Sequence, residues 1–272
     1  MWVRENPVMD ELTIAPEILR YYERGGEADR LERDGPGRLE FLRTRDVLRR
    51  LLPEAPSAVA DVGGGMGVHA RWLAEDGHRV TLVDPVPSHV DAASRLPGVT
   101  AVTGDARRLP LPDGDVDAVL LLGPMYHLRE PADRESALAE AIRVVRPGGP
   151  VVVATVNRFS VFHDMARRGA LVEAGELMDE VAASGHLSGE LFTGAYLHRP
   201  EEIRAECDAA GLTGVRQFGV EGAVWLIPGL EVVLDDAPAR ERLLGELRRY
   251  ETEPSLWGAG GHLLTAGFAP SR

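Results

Sequence analysis

The sequence predicts a three-layer α/β fold, a largely parallel sheet covered by helices, and three observations carry that prediction. Apolar runs of strand length recur at 58–62, 79–84, 99–104, 116–122 and 151–156, separated by helical stretches or turn-rich segments. The first run, which carries Asp61 near its end, passes into a helix through the turn Gly63-Gly64-Gly65-Met66-Gly67. The second run, Arg79-Val-Thr-Leu-Val-Asp84, ends in an acid, about twenty residues past the glycine turn, the distance at which a carboxylate reaches a ribose diol in nucleotide-binding βαβ units. Glycines suit the turn because the backbone must bend sharply and approach a ligand more closely than a Cβ allows.

Residues 1–33 read as irregular at first and helical around 16–24, before the breaker Asp34-Gly-Pro-Gly37. Arg38 to Leu52 reads as a helix with Leu39, Leu42, Val47, Leu48 and Leu51 apolar, ended by the prolines at 53 and 56. Residues 1–56 hold too few apolar side chains for a domain and are read as a helical cap over a ligand mouth. Tyr21, Tyr22 and Arg43 either line that mouth or are plain packing residues. Residues 57–157 form the ligand-binding core. After the first strand, Val68 to Asp76 reads as a helix burying Trp72 and Leu73. Pro85 and Pro87 break the chain after the second strand, and Ser88 opens a short helix. The third strand runs straight into Asp105-Ala106. Asp113-Gly114 reads as a turn, and Asp115 and Asp117 as loop or strand-entry residues.

The fourth strand delivers Gly123-Pro-Met-Tyr-His-Leu128 to its carboxyl end, where open α/β sheets hold their ligands. Asp133 to Val145 is an amphipathic helix closed by Arg146-Pro-Gly-Gly149, and the fifth strand follows. From 158 to 196 no sheet pattern is visible, only helical stretches with Phe159, Phe162, Met165, Leu177 and Phe192, read as a lid that sets specificity. Residues 197–272 complete the sheet: a helix from His198, a strand at 212–220, an irregular 221–229 with Trp225, a charged helix at 237–251 and a last strand at 262–268.

The glycine spacing separates two cofactor classes. A dinucleotide fingerprint needs Gly-x-Gly-x-x-Gly or Ala, and counting from Gly63 the last position is Val68. The segment fits Asp-x-Gly-x-Gly-x-Gly instead, as Asp61, Gly63, Gly65 and Gly67. That pattern resembles the first motif of the class I S-adenosylmethionine (SAM)-dependent methyltransferases. Gly104-Asp-Ala-x-x-Leu-Pro110 and Leu111-Pro-Asp-Gly-Asp-Val-Asp117 resemble later motifs of the same family, as does Arg146-Pro-Gly-Gly149. The likeness covers roughly 57–156 by motif and the rest by order of elements.

The resemblance implies a Rossmann-like seven-stranded sheet, six strands parallel and the last antiparallel, with helical lid additions. It implies SAM as cofactor and S-adenosylhomocysteine (SAH) as product. Asp61, Gly63, Gly65, Gly67, Gly123 and Arg43 would lie against the cofactor, with Asp84 and Pro85 on the ribose side. Asp105 would accept from the adenine amino group, beside the Ala106 backbone. Gly123-Pro-Met-Tyr126 resembles the Asn/Asp-Pro-Pro-Tyr of enzymes that methylate nucleobase amines, but its first position lacks the carbonyl that would hold such an amine.

Composition narrows the partners. A net charge of −13 and a pI of about 5.1 argue against nucleic acid and anionic membranes. No run approaches a membrane span and no leader pattern opens the sequence, so a cytoplasmic protein, monomer or homodimer, is expected. The single Cys207 excludes an intramolecular disulfide framework and a cysteine-rich metal site. All thirty basic residues are arginine, which excludes a Schiff-base lysine and a Walker A lysine.

The expected chemistry is in-line attack of an acceptor atom on the sulfonium methyl group, helped by holding both reactants in contact. Where the acceptor keeps a proton, His127, just past the fourth strand, is the candidate base, or else it hydrogen-bonds lid or cofactor. Tyr126 joins it as a catalytic and substrate-binding candidate, and Tyr22, Phe159, Phe162, His198 and Trp225 as substrate-binding candidates. His69, His78 and His89 are expected to be solvated, and no metal is assigned. The function expected is methyl transfer to N or O of a small molecule. A SAM-binding protein doing other work, such as a cyclase or regulatory binder, and a nicotinamide oxidoreductase are the alternatives.

Overall fold

The computed structural model describes residues 30–187 and 194–271. The expected helix at 16–24, Tyr21, Tyr22 and Phe192 lie outside the described residues. In chain order the helices and strands begin with α1 (Arg30–Arg33), α2 (Gly35–Leu51), β1 (Ala58–Val62), α3 (Val68–Glu75), β2 (Arg79–Asp84) and α4 (Pro87–Ala93). Next come β3 (Val99–Thr103), β4 (Ala118–Leu121), α5 (Pro124–His127), α6 (Pro131–Val144) and β5 (Pro150–Val156). Then follow α7 (Ser160–Arg168), α8 (Gly175–Ser184), β6 (His186–Leu187), β7 (Ala195–Tyr196) and α9 (Pro200–Ala209). The chain closes with β8 (Thr213–Gly219), a 3-10 turn at Gly222–Leu226, α10 (Leu230–Asp235), α11 (Ala237–Tyr250), α12 (Pro254–Trp257) and β9 (His262–Phe268).

Seven strands form one sheet in the order β3-β2-β1-β4-β5-β9-β8. The strands β1 to β5 pair in parallel, and β9 runs antiparallel to both β5 and β8. Six strands therefore share a direction and the last opposes them, as the family resemblance implies. Alternation along each strand supplies two cores. Val119, Leu121, Val151 and Val153 face α6 and α9 through Leu138, Ala141 and Ile203. Val59, Leu82, Leu120 and Val152 face α2 and α3 through Val47, Leu48, Trp72 and Leu73. Burial on both faces explains why the parallel strands read as unbroken apolar runs.

Two expectations change. Asp34-Gly-Pro-Gly37 does not break the chain; it starts α2. The Asp34 carboxylate accepts from the Gly37 N–H at 2.9 Å and Pro36 occupies the first turn, where its missing N–H costs nothing. The stretch 157–196 is not helical alone: β6 and β7 pair antiparallel, too short to leave a period in the sequence.

Direction matters for β9. Because it is antiparallel, its first residue pairs with the last residue of β5, Val156 with His262. His262 thus enters at the carboxyl edge of the parallel strands, the ligand edge of such sheets. The partner β8 leaves at the same edge, Gly219 pairing with Leu263, so residues 220–222 lie beside 260–262.

Candidate functional site

Three adjoining cavities open along the carboxyl edge of the sheet. The first, about 390 Å³, is bounded by the glycine loop, the end of β2 with Asp84 and Pro85, the 104–107 turn and the 123–130 segment. The second, about 150 Å³, shares Gly63, Gly65, His89, Gly123 and Tyr126 with the first and runs beneath α2 along Glu40 and Thr44. The third, about 720 Å³, shares Glu40 and His262 with the second and is walled by the start of α2, α7 and Trp225.

The glycines of the loop do different jobs. A Cβ on Gly63 would stand 2.7 Å from Pro124 Cδ, and one on Gly67 would stand 2.5 Å from Leu96, so these two are small for packing. Gly65, at φ +57°, borders both of the first two cavities, and a Cβ there would meet nothing within 4 Å. Its N–H donates to Asp84 Oδ2 at 2.9 Å. The other Asp84 oxygen accepts from the Val86 N–H at 2.9 Å and lies 3.1 Å from His89 Nδ1. His89, expected to be solvated, is buried against that carboxylate.

Asp61 is 1% exposed, and among the described residues neither carboxylate oxygen makes a close, well-aligned hydrogen bond, only a weaker approach from the Ala70 backbone. Desolvation, then the charge of Asp84, raise its carboxyl from 3.8 to about 7, which the Ala70 backbone in the first turn of α3 only partly offsets. Such a buried carboxyl is costly unless a cation or donor arrives.

Asp105 and Ala106 border the first cavity. The Asp105 carboxylate is gripped by Arg107, through Nε at 3.0 Å and Nη2 at 2.7 Å, and accepts from the Arg107 N–H at 2.8 Å. Tyr126 borders the first and second cavities, and His127 the first. Their rings stand 4.5 Å apart between centroids. Burial pulls the His127 imidazole down from 6.5 to about 4, so it is neutral, and weakly basic, at neutral pH.

Several sequence candidates lie elsewhere. Arg43 is fully buried and bonds Asp46 and Glu251, each at 2.6 Å, and the Val220 carbonyl at 3.2 Å. It borders none of the three cavities; it ties α2 to the segment ahead of Glu221. His198 is 1% exposed, with Nε2 3.3 Å from Glu206 of α9. Phe159 lies under the Arg199 guanidinium at 5.0 Å, and Phe162 is half exposed; neither reaches a cavity wall. Trp225 does line the third cavity, its Nε1 donating to the Ala259 carbonyl at 2.9 Å. Cys207 sits in the core, its thiol pushed up to about 12 by burial.

Glu40, Glu221 and His262 were not anticipated. Glu221 is 2% exposed; its Oε2 accepts from the His262 N–H at 3.0 Å and its Oε1 from His262 Nδ1 at 2.6 Å. Glu40 Oε2 lies 3.6 Å from the same nitrogen. No local motif announces this group, because its members stand 181 and 41 positions apart and only the antiparallel insertion of β9 joins them. Among the described residues no helix is long and apolar enough to cross a membrane.

Comparison with known proteins shows the family and the fold. Residues 59–149 match the profile of a methyltransferase domain family. An "Uncharacterized methyltransferase" of Mycobacterium tuberculosis is 42% identical over 100 residues, 36% of this chain and 40% of that protein; the chain spans about two fifths of its length. A Mycolicibacterium smegmatis protein named "Probable S-adenosylmethionine-dependent methyltransferase" is 30% identical over 240 residues, 82% of this chain and 84% of that one. The crystal structure of a SAM-dependent methyltransferase from Thermotoga maritima superposes with a TM-score of 0.59 at 19% identity, covering 93% of this chain and 99% of its own.

Proposed function

Because the chain belongs to the SAM-dependent methyltransferase family, we propose that it transfers the methyl group of SAM to an N or O atom of a small molecule held in the third cavity. The cofactor supplies an electrophilic methyl group whose sulfur keeps the electron pair of the broken bond. Two features support seating it in the first and second cavities. Gly65 leaves open the space a side chain would take, and Asp61 is a buried carboxyl without a close hydrogen bond among the described residues, which an ammonium would satisfy. In this reading Asp84 retains acceptor capacity for ribose hydroxyls beyond the bonds it already makes. Asp105 and Ala106 border the adenine end, and Gly123 and Tyr126 the transition to the methyl group.

The observation that carries the small-molecule reading is the chamber of about 720 Å³ that meets the smaller cavity at Glu40 and His262. That volume suits a drug-sized molecule, and its walls combine Val156, Met165 and Trp225 with acids and arginines. Catalysis is then mainly the alignment of two reactants held in contact. Incubation with SAM labelled in its methyl group and a panel of phenols, amines and N-heterocycles tests the proposal. Label should pass to members of the panel; cofactor binding without transfer to any acceptor class would favour a non-methylating role.

A further inference from the structure

We propose that His262, oriented by Glu221, is the proton acceptor of this enzyme, so that the atom methylated carries a dissociable proton before transfer. The inference rests on the methyl-transfer reading above and deepens it.

Place comes first. His262 and Glu40 are the two residues common to the cavity beneath the glycine loop and the large chamber beyond it. A group at that junction borders both the reacting end of the cofactor space and the acceptor. His127 borders only the first cavity and does not reach the chamber assigned to the acceptor.

Chemistry comes second. The 2.6 Å contact from His262 Nδ1 to Glu221 Oε1 is a charge-assisted hydrogen bond, and it fixes the proton of a neutral ring on Nδ1. Nε2 then carries the basic lone pair. Glu221 cannot swing away easily: it is buried, and its second oxygen accepts from the His262 backbone. Arg43 grips the carbonyl of Val220, one residue earlier, so the carboxylate sits on an anchored segment. Among the described residues, Glu221, two residues past β8, and Glu40 from α2 carry the carboxylates beside His262 Nδ1. Both are carboxylates, and both favour the imidazolium that proton transfer creates. The second cavity adds Asp61 from β1, His69 from α3, His89 from α4 and Tyr126 from α5 on its other walls, so the pH profile of kcat is read with SAM saturating, where titration of Asp61 no longer limits cofactor binding.

The step balances simply. The acceptor X–H bond breaks and an Nε2–H bond forms; the electron pair stays on X and is the pair available for bonding to carbon. The imidazolium afterwards returns its proton to water. A phenol or a protonated amine meets this requirement, and an acceptor already anionic does not need it.

The ligand atoms of Glu40, Glu221 and His262 also lie within 4.8 Å of one another, as a divalent cation would require. The 2.6 Å nitrogen–oxygen contact favours a shared proton, since two ligands of one ion at about 2.1 Å each stand farther apart.

The test uses the whole chain and the variants His262→Gln and Glu221→Leu, the second of which leaves no acceptor at that position. Nitrogen-15 NMR of the ligand-free protein should show, beside the ring of His89, a ring in the Nδ1–H tautomer whose signals are absent in His262→Gln and shift towards the Nε2–H tautomer in Glu221→Leu. An unaltered tautomer in folded Glu221→Leu overturns the dyad, whatever the acceptor. With an acceptor that the wild type methylates, His262→Gln should lower kcat by about a hundredfold or more, remove the acid limb of the pH profile and leave SAH affinity unchanged. Wild-type turnover in His262→Gln overturns this proposal alone, whereas no transfer by the wild type to any acceptor overturns the reading beneath it. Loss of activity on chelation, restored by manganese or zinc, would also overturn it in favour of a metal site.

Discussion

The N–H of Gly65 donates to the carboxylate of Asp84 at 2.9 Å, across 19 residues of chain. With the Val86 N–H on the other oxygen, one side chain holds both the glycine loop and the turn after β2. Asp84 is therefore part of the frame of the site before any ligand enters. Asp84→Ala should lower both cofactor affinity and the stability of the ligand-free protein, since each hydrogen bond to a charged group is worth about 1.5–3 kcal/mol. Calorimetry with SAH and thermal unfolding without it measure the two. An unchanged melting temperature would show that the loop holds its shape without Asp84.

Gly65 and Gly67 should separate binding from folding. At both, alanine must adopt a positive φ, which costs about 1–2 kcal/mol. Only at Gly67 would the new Cβ also strike Leu96. Gly65→Ala, and more so Gly65→Val, should lose SAH binding with a modest drop in stability; Gly67→Ala should lose more stability. Equal effects on stability and none on binding at Gly65 would contradict its place beside the ligand.

Asp61 gives the protein a pH signature. Its folded pKa of about 7 exceeds the ordinary 3.8, so the folded chain binds this proton more tightly than the unfolded one. Its contribution to stability therefore falls as pH rises from 3.8 to about 7, and the loss is complete above that. Asp61→Asn should gain unfolding free energy relative to wild type over that interval, with the difference levelling off beyond it. The same variant should bind SAH more weakly at pH 8. A pH-independent difference in denaturant titrations would remove Asp61 as a strained ionisable group.

His127 has the opposite sign. Its folded pKa of about 4 lies below 6.5, so its contribution is whole above 6.5 and is lost as pH falls towards 4. His127→Gln should reduce the acid sensitivity of folding. Because the ring is already neutral at pH 6, the variant should leave the pH–rate profile above pH 5 unaltered in shape. A profile whose acid limb disappears in His127→Gln would return the role of base to His127.

Arg43 is a structural cation. Arg43→Met should cost about 3 kcal/mol, at the lower end for a broken buried pair, because Glu251 keeps Arg50 and Asp46 keeps Arg248. Cofactor affinity of the folded fraction should stay the same. A specific loss of affinity at unchanged stability would move Arg43 back to the cofactor.

What the sequence revealed and what it hid divide along physical lines. Strands buried on both faces leave continuous apolar runs, so the parallel β1 and β2 and the antiparallel β9 were legible to the residue, and the glycine turn with its downstream acid marked the cofactor edge. Contacts between distant segments left no such trace. Arg43 is one more arginine on an amphipathic helix until Glu251 and Val220 meet it, and His262 is the first residue of an ordinary strand until β9 inserts backwards beside β5. His89 looked like a helix-surface residue because its inward turn depends on Asp84. The same holds for Phe159 and His198, whose partners Arg199 and Glu206 stand 40 and 8 positions away and left no trace in a local pattern.

The most direct test of the account is calorimetric titration of the wild-type chain with SAH, and separately with NAD, without added metal. The account predicts saturable micromolar binding of SAH at a single site and no binding of NAD. Saturable binding of NAD with none of SAH would contradict it.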